Sequence, residues 1–533
     1  MELTKNHIKL IKKYIQLVKD TGMYPGRAEL DKAGYNRDKL RYYFTNLDHL
    51  RSSAKEWAAD NDPTAFDHII DESIFTPKRL RELNAEIKKH KRFVVTTAVV
   101  GAQVHEGFLK SIQTYCKDKN AKLLVLPCAD PASAGNWNLA PELGADSIVF
   151  GDVALNSNVF LCAIKMSAKQ IDPSTGLDRI GQRHGTFVYA SPKQRLKFMP
   201  VSNIKHPHAE MTTGAITIPK YLDTERYMSE RTAYIANHDH VMGAIIVEIL
   251  DNKRYSFRQI QADANGSFVD LADFYKGDKV SKMYAEGISL GDWHSGETDP
   301  TAVKAMQELQ EVVRASKLFV HDGFNGLSIN HHERDRQIRR AILAKRGLLN
   351  LETELKGFTK DLDFLSSWSH VEEVVAVKSN HDIFLDRWLD SGEYVDDPHN
   401  YHVGVTLAKA MADGLNPLQY AAKLYGLKSD KVRWLNMDED YFIARIQCGA
   451  HGHKGPKGSR GTLKGMEKAY GLSVTGHSHG PEILRGAWQN GTLSKLKLDY
   501  NQGPSDWVHS STVIYPNGMR QLINSFDGNW RMK

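Results

Sequence analysis

Five short clusters of Asp, Asn and His in the second half of the chain carry residue types that bind divalent metals. They are Asp292 and His294, then Asp322, then Asn380, His381 and Asp382, then His451 and His453, then His477 and His479. Oxygen and imidazole donors without a thiolate suit hard or borderline divalent ions, manganese first and magnesium, iron or zinc behind it. Read singly, each cluster is ordinary. An Asp-x-His is usually a turn, and a lone histidine at a strand end is more often a hydrogen-bonded surface residue than a ligand. Their shared setting weighs against that reading. Each cluster ends a short apolar run, in "YAEGISLGDWHSG", "SKLFVHDGF", "EEVVAVKSNHD", "FIARIQCGAHGH" and "GLSVTGHSHG". In open α/β sheets the reactive residues gather at the carboxyl ends of strands, so five such ends describe one rim. Alternation along a strand puts residues i and i+2 on one face, which lets Asp292 and His294 reach one ion. The same holds for His477 and His479 if their segment stays extended.

The elements that must position these clusters alternate along the chain. Helical stretches such as "PTAVKAMQELQEVVRAS" and "HERDRQIRRAILAKRGLLNLETELKGF" separate the apolar runs. Upstream, "KRFVVTTAVVG" reads as a buried strand, "HEGFLKSIQTYCKDKN" as a helix and "AKLLVLPC" as a second strand, a unit that begins a parallel α/β sheet. The stretch through "GAITIPKY", "GAIIVEIL" and "YSFRQIQAD" is mostly β in pattern, and "HDH" at His238 to His240 reads as an ordinary loop without a partner cluster. Near the N-terminus Ile8, Ile11, Ile15 and Val18 recur at helical spacing between Thr4 and Lys19. After Pro25 the spacing predicts a helix from Arg27 to Ala33, a turn at Gly34, and a helix capped by Asn36. That last helix carries Arg37, Lys39 and Arg41, so the segment resembles a helix-turn-helix module with those three as DNA contacts. A solvated helical cap is the plainer alternative. Asp60 to Pro77 is polar and reads as a linker. The expected organisation is a helical module over 1–60, an α/β domain with a β-rich second half over 78–278, and a domain bearing the clusters over 279–533.

Composition bounds the function classes. A chain of 533 residues, 41% hydrophobic and 25% charged, is globular and long enough for two to four domains. No apolar run approaches the ~20 residues that span a bilayer, so no membrane partner is expected. The opening "MELTKNHIKLIKK" spreads charge through its apolar positions and is not a signal peptide. Cys116, Cys128, Cys162 and Cys448 have no paired spacing, which excludes a disulfide framework or zinc ribbon and points to a reducing cytoplasm. The net charge of +6 tolerates nucleic acid without demanding it. Homo-oligomerisation is left open.

The five clusters in order, "DWH", "HD", "SNHD", "HGH" and "GHSH", resemble the signature of the calcineurin-like metallophosphoesterases. His321 and Ser379 replace two glycines of that pattern, which alters backbone freedom rather than ligand type. The resemblance covers roughly the C-terminal half and implies an αββα sandwich as its catalytic domain. It implies one metal held by Asp292, His294, Asp322 and His479 and a second held by Asp322, Asn380, His451 and His477, with Asp322 bridging. A bridging carboxylate suits ions ~3.5–4 Å apart that share a water nucleophile. His381 would assist the leaving oxygen, with Asp382 orienting its ring. Of the two histidines in "HGH", His451 lies nearer the strand end and is the chosen ligand; His453 is left for substrate.

Metallophosphoesterases hydrolyse proteins' phosphates, nucleotides or nucleic acids, and basic residues separate these. Lys454, Lys457, Arg460 and Lys464 form a cationic Gly-rich strip after the fourth cluster, suited to a phosphate backbone. Arg336, Arg339, Arg340, Lys345 and Arg346 add to it, with a solvated helix face as the plainer reading. With the helix-turn-helix segment these favour DNA, and the resemblance then narrows to the SbcD-type repair nucleases. On "RFVVTTAVVGAQVHEGFLKSIQTYCKDKNAKLLVLPCADPAS", "TTGAITIPKY" and the five clusters, the whole chain also looks like the pre-early DNA-degradation (first-step-transfer) proteins of tailed bacteriophages. That implies a virus-encoded DNase acting in the host cytoplasm. The alternatives are a phosphoesterase for nucleotides or small phosphates, and a DNA-binding or transfer protein with incidental catalysis.

Overall fold

The computed structural model describes residues 3–25, 27–70, 76–128, 138–180, 185–202, 207–221, 230–498 and 501–532. Four helices open the chain. In α1 (Lys5–Thr21), capped by Thr4, the apolar spacing puts Ile11, Tyr14, Ile15 and Val18 on one buried stripe. α2 (Arg27–Lys32) and α3 (Arg37–Tyr43) meet at a turn where Gly34 sits at φ 80°. Asn36 caps α3 by accepting the Lys39 N–H. With α4 (Leu47–Asn61) these helices close a core around Tyr14, Tyr35, Phe44 and Leu50. α5 (Pro77–Ile87), with its proline in the first turn, leads into the rest.

In chain order the first unit is β1 (Arg92–Val99), α6 (Glu106–Lys119) and β2 (Lys122–Cys128), followed by β3 (Val153–Ala154), β4 (Val159–Cys162), β5 (Thr186–Tyr189), β6 (Arg195–Met199) and β7 (His208–Thr212). Next come α7 (Glu230–His238), β8 (Gly243–Ile249), β9 (Tyr255–Gln261), β10 (Phe268–Asp270), β11 (Asp273–Lys276) and β12 (Lys279–Lys282). The second half begins with β13 (Gly287–Ser289), α8 (Pro300–Val313), β14 (Lys317–Val320), α9 (Gln337–Lys345) and α10 (Leu351–Ser366). β15 (Glu373–Ala376), α11 (Asn380–Asp390), α12 (Tyr401–Ala412), α13 (Pro417–Leu424) and β16 (Val432–Trp434) follow. The chain finishes with β17 (Phe442–Ile443), β18 (Ile446–Gln447), α14 (Leu463–Tyr470), β19 (Ser473–Thr475), β20 (Glu482–Leu484), β21 (Ala487–Gln489), β22 (His509–Ile514) and β23 (Arg520–Ser525).

The architecture is mixed α/β. β1 and β2 pair in parallel across α6, as the strand-helix-strand pattern implies, and β8 and β9 extend them antiparallel. A six-stranded sheet runs β16-β15-β14-β13-β22-β23, and its first four strands are parallel. A ten-stranded sheet runs β17-β18-β19-β21-β20-β6-β7-β5-β4-β3. In it β6 lies antiparallel to β20, Leu196 opposite Ile483, so one hydrogen-bonded sheet crosses the division expected at 278.

Alternation along the six-stranded sheet explains the layering. Leu318, Val320, Val374 and Val513 face a core with Leu309, Leu355, Leu362 and Leu385 from the helices. The intervening Phe319, Val375 and Ile514 face the ten-stranded sheet, where Ile446, Val474 and Trp488 meet them. α14 packs Leu463 and Met466 on Leu484 and Ala487 of the ten-stranded sheet. The layers are thus helices, sheet, sheet and helix. All four cysteines are free, and among the described residues no helix is long and apolar enough to cross a membrane. His238 ends α7 instead of lying in the loop expected, whereas half-buried His240 is in that loop and bonds the Tyr221 hydroxyl and the Thr217 carbonyl, each at 2.9 Å.

Candidate metal centre

The two sheets bring the five clusters together from opposite sides. β13, β14 and β15 lie side by side in parallel, and β18 and β19 lie parallel in the facing sheet. Backbone hydrogen bonds carry this register past the strands. Trp293 N–H donates to the His321 carbonyl at 2.9 Å, His294 N–H to that of Asp322 at 2.8 Å, and Gly476 N–H to that of His451 at 2.9 Å.

At the centre, donor atoms of Asp292, His294, Asp322 and His479 all lie within 4.8 Å of one another, and all four residues are buried. His479 Nε2 is 3.1 Å from Asp292 Oδ2 and 3.0 Å from His294 Nε2. A second convergence adjoins it. Asn380 Oδ1 is 2.9 Å from His451 Nε2 and 3.0 Å from His477 Nδ1. Asp322 Oδ2 belongs to both groups, 3.7 Å from His294 Nε2 and 3.4 Å from His451 Nε2. His477 and His479 therefore divide between the two groups.

Local geometry differs from the extended segments expected. His294 (φ 49°), Asp322 (φ 44°), His477 (φ 82°) and His479 (φ 60°) all adopt the left-handed region. Non-glycine residues are held there only when their surroundings impose it, and such strain collects at functional sites. Asp292 and His294 converge because the chain turns at His294, not because of strand alternation. The donor set fits a divalent cation. Asp292 Oδ1 and Asp322 Oδ1 are buried carboxylate oxygens without a hydrogen-bond partner, as are His451 Nδ1 and His479 Nδ1 among the imidazoles. Unpaired buried carboxylates are costly unless a cation accompanies them. Gly476 leaves room for this packing, since a Cβ there would fall 2.1 Å from Asp292 Oδ1.

The buried charges perturb one another. Burial and the neighbouring His381 push His294 down to about 3. Burial also opposes charge on His451, but the carboxylates of Asp322, Asp292 and Asp382 overcome it and raise His451 to about 9. Burial would raise Asp322, yet the surrounding imidazoles, His451 first, hold it well below the usual carboxylate range.

His381 follows Asn380 at the start of α11, with its ring centroid 4.7 Å from that of His294. Its Nδ1 lies 2.6 Å from the Asn325 carbonyl, which can only accept, so Nδ1 carries the proton and Nε2 is the free nitrogen. The partner that orients His381 is Asn325 and not Asp382, a correction to the role expected of Asp382. Asp382 is the third residue of α11 and closes a capping box, accepting the Ser379 N–H at 2.9 Å. Burial pushes its carboxyl up to about 6. The Asn325 loop is itself tied down by half-buried Glu354, which accepts from Leu327 and Ser328 N–H at 2.7 and 2.9 Å. Asn325 and Glu354 have no signal in the sequence, because one acts through a backbone carbonyl and the other through a loop. Trp507, whose ring centroid lies 4.1 Å from that of His479, was equally silent.

His453 has both ring nitrogens buried without a partner, and its ring lies 5.3 Å from His451 and 6.0 Å from His477. Lys454, Lys457 and Arg460 are exposed on the hairpin that follows, where Lys454 bridges to Arg460. Lys39 and Arg41 are exposed on α3, apart from the metal group's contacts; the Arg37 side chain lies outside the described residues.

Fold and site together define a mixed α/β protein with a buried Asp and His group able to hold a metal ion. In sequence the chain is 29% identical over 479 residues, 83% of each chain, to "Protein A1" of Escherichia phage T5. That similarity supports a phage origin. Neither a protein-family profile nor a solved structure matches the chain.

Proposed function

We propose that this chain is a phage-encoded, two-metal-dependent DNA nuclease of calcineurin-like type that degrades DNA in the host bacterial cytoplasm. The observation that carries the reading is the sharing of one carboxylate oxygen, Asp322 Oδ2, by two adjoining groups of donors. Asp292, His294, Asp322 and His479 would hold one ion, and Asp322, Asn380, His451 and His477 the other, with manganese the best match to these donors. When bound, such a pair draws charge from a phosphodiester and lowers the pKa of the attacking water.

The chain's own residues supply the rest. The Asn325 carbonyl holds the Nδ1 proton of His381, so Nε2 is the nitrogen that, once protonated as the imidazolium, gives its proton to the departing oxygen. His453 contacts the bound phosphate, and Lys454, Lys457 and Arg460 hold the flanking backbone by charge. The 1–60 module, through Arg37, Lys39 and Arg41, is a second DNA contact. The similarity to a phage protein supports the biological setting. The test is cleavage of linear, circular and single-stranded DNA by purified protein with manganese, beside His381→Ala. The variant should bind metal like the wild type and lose cleavage; cleavage retained in His381→Ala would sink the assigned role.

A further inference from the structure

A line of rings leads out of the metal centre on the His381 side. The ring centroids of His381 and Phe384 are 4.8 Å apart, those of Phe384 and His331 5.1 Å, and those of His331 and His332 3.9 Å. Phe384 is buried, His331 half-buried and His332 exposed, so the line surfaces at His332. His331 is held by Arg387, whose Nη1 donates to its Nε2 at 2.7 Å. The chain then runs directly into α9. From His331 to Arg346 it carries six Arg and Lys against two acidic residues. Glu333 neutralises part of this through Arg336 and Arg339, whereas Arg340, Lys345 and Arg346 form no ion pair among the described residues.

Two side chains on α9 do not suit a merely solvated basic helix. Ile338 and Ile342, one helical turn apart, are 80% and 51% exposed. Duplex DNA presents phosphates and sugars outward and covers its base faces by stacking, so exposed isoleucines reach only thymine methyls or a wedged-open step in its grooves. An unpaired strand offers both a polyanionic backbone and open base faces. Rings and apolar side chains interleaved with basic residues match that combination.

We propose that the face formed by His332 and α9, backed by the buried Phe384 ring, is a track that guides a single DNA strand to the metal centre from the His381 side. This rests on the nuclease reading and adds the strand state of the substrate. Bases stack on His332 and lie against Ile338 and Ile342, while Arg340, Lys345 and Arg346 hold the phosphates.

The experiment uses full-length, metal-free protein in chelator and a fluorescein-labelled oligonucleotide, single-stranded or annealed, read by anisotropy. A parallel arm with manganese compares cleavage of the single strand with turnover of bis(p-nitrophenyl) phosphate. The variants are His332→Ala and the double variant Ile338→Ser with Arg340→Glu. His332 and Ile338 are exposed and Arg340 is half-buried, and circular dichroism checks the fold. The expected result is a loss of about tenfold or more in single-strand affinity, a smaller loss for duplex, and a matching fall in the ratio of strand cleavage to small-diester turnover. Equal losses for single strand and duplex overturn the single-strand assignment, and a change below about twofold overturns the track. A wild type that turns over the small diester yet binds no strand overturns the track and leaves the metal centre standing. A wild type that does neither overturns the nuclease reading with it.

Discussion

Gly476→Ala isolates the packing on which the first metal group depends. The added Cβ would lie 2.1 Å from Asp292 Oδ1 and 3.0 Å from the His321 Cβ, where ordinary contact begins at 3.4 Å. The carboxylate must therefore retreat by roughly 1 Å, the scale of misplacement that costs about 10²-fold in rate. It has no slack in which to do so. Its other oxygen accepts the His477 N–H at 2.7 Å and faces His479 Nε2 at 3.1 Å, and the residue is fully buried. The expected outcome is a loss of DNA cleavage on the order of 10²-fold, with manganese affinity down tenfold or more. Gly296→Ala is the control, because Gly296 has nothing within 4 Å of a built Cβ and differs only in its φ of 86°. That substitution should lower stability by about 1 kcal/mol and leave metal binding intact. Calorimetric manganese titration and a DNA cleavage time course on both variants decide the matter. Wild-type affinity and rate in Gly476→Ala would refute the reasoning.

Three further outcomes are expected. Asp382→Asn keeps an acceptor for the Ser379 N–H and should cleave DNA at a rate near wild type. Asp382→Ala should cost about 1 kcal/mol in thermal unfolding, and a large rate loss in the Asn variant would return Asp382 to an orienting role. Arg258, bonded to Glu248 and Asp270 in the interior, governs acid stability. Burial would raise Glu248, but Arg258, then the Met532 N–H and Arg92, hold it down to about 2. Its folded pKa lies below its unfolded one, so this stabilisation is present above about pH 4.5 and is lost as the pH falls toward 2, on the order of 3 kcal/mol. Arg258→Met should destabilise by about 3–5 kcal/mol at pH 7, because two buried carboxylates lose the cation they share; melting curves across this pH range check it. In the core, Leu318→Ala should cost about 2–5 kcal/mol in denaturant unfolding, since Leu318 is fully buried against the helices.

The residues that converge at the site were legible because each sits where a short apolar run stops, and parallel strands must deliver their ends to one rim. The backbone that aims them was not. The pairing of Asp292 with His294 follows from the sequence by alternation, yet the structure achieves it by a left-handed turn at His294 that no periodicity encodes. Asp382 departs from its expected role for a related reason. A Ser three residues before an Asp signals a capping box, and the carboxylate satisfies the helix start instead of the histidine beside it. The orienting Asn325 acts through a carbonyl, which every residue has. The division at 278 marks where the recurring strand-end clusters begin, whereas β6 completes the sheet of β20 through a long-range pairing that depends on edge geometry.

Two ions sharing Asp322, with DNA cleavage dependent on both, is the proposal most directly open to measurement. The measurement is manganese bound per chain at equilibrium, taken beside DNA cleavage by the same samples of wild type and Asp322→Asn. The account predicts two ions and cleavage in the wild type, with both sites weakened together and cleavage lost in the variant. Cleavage in chelator, or a variant that loses one ion while the other binds as before, would contradict it.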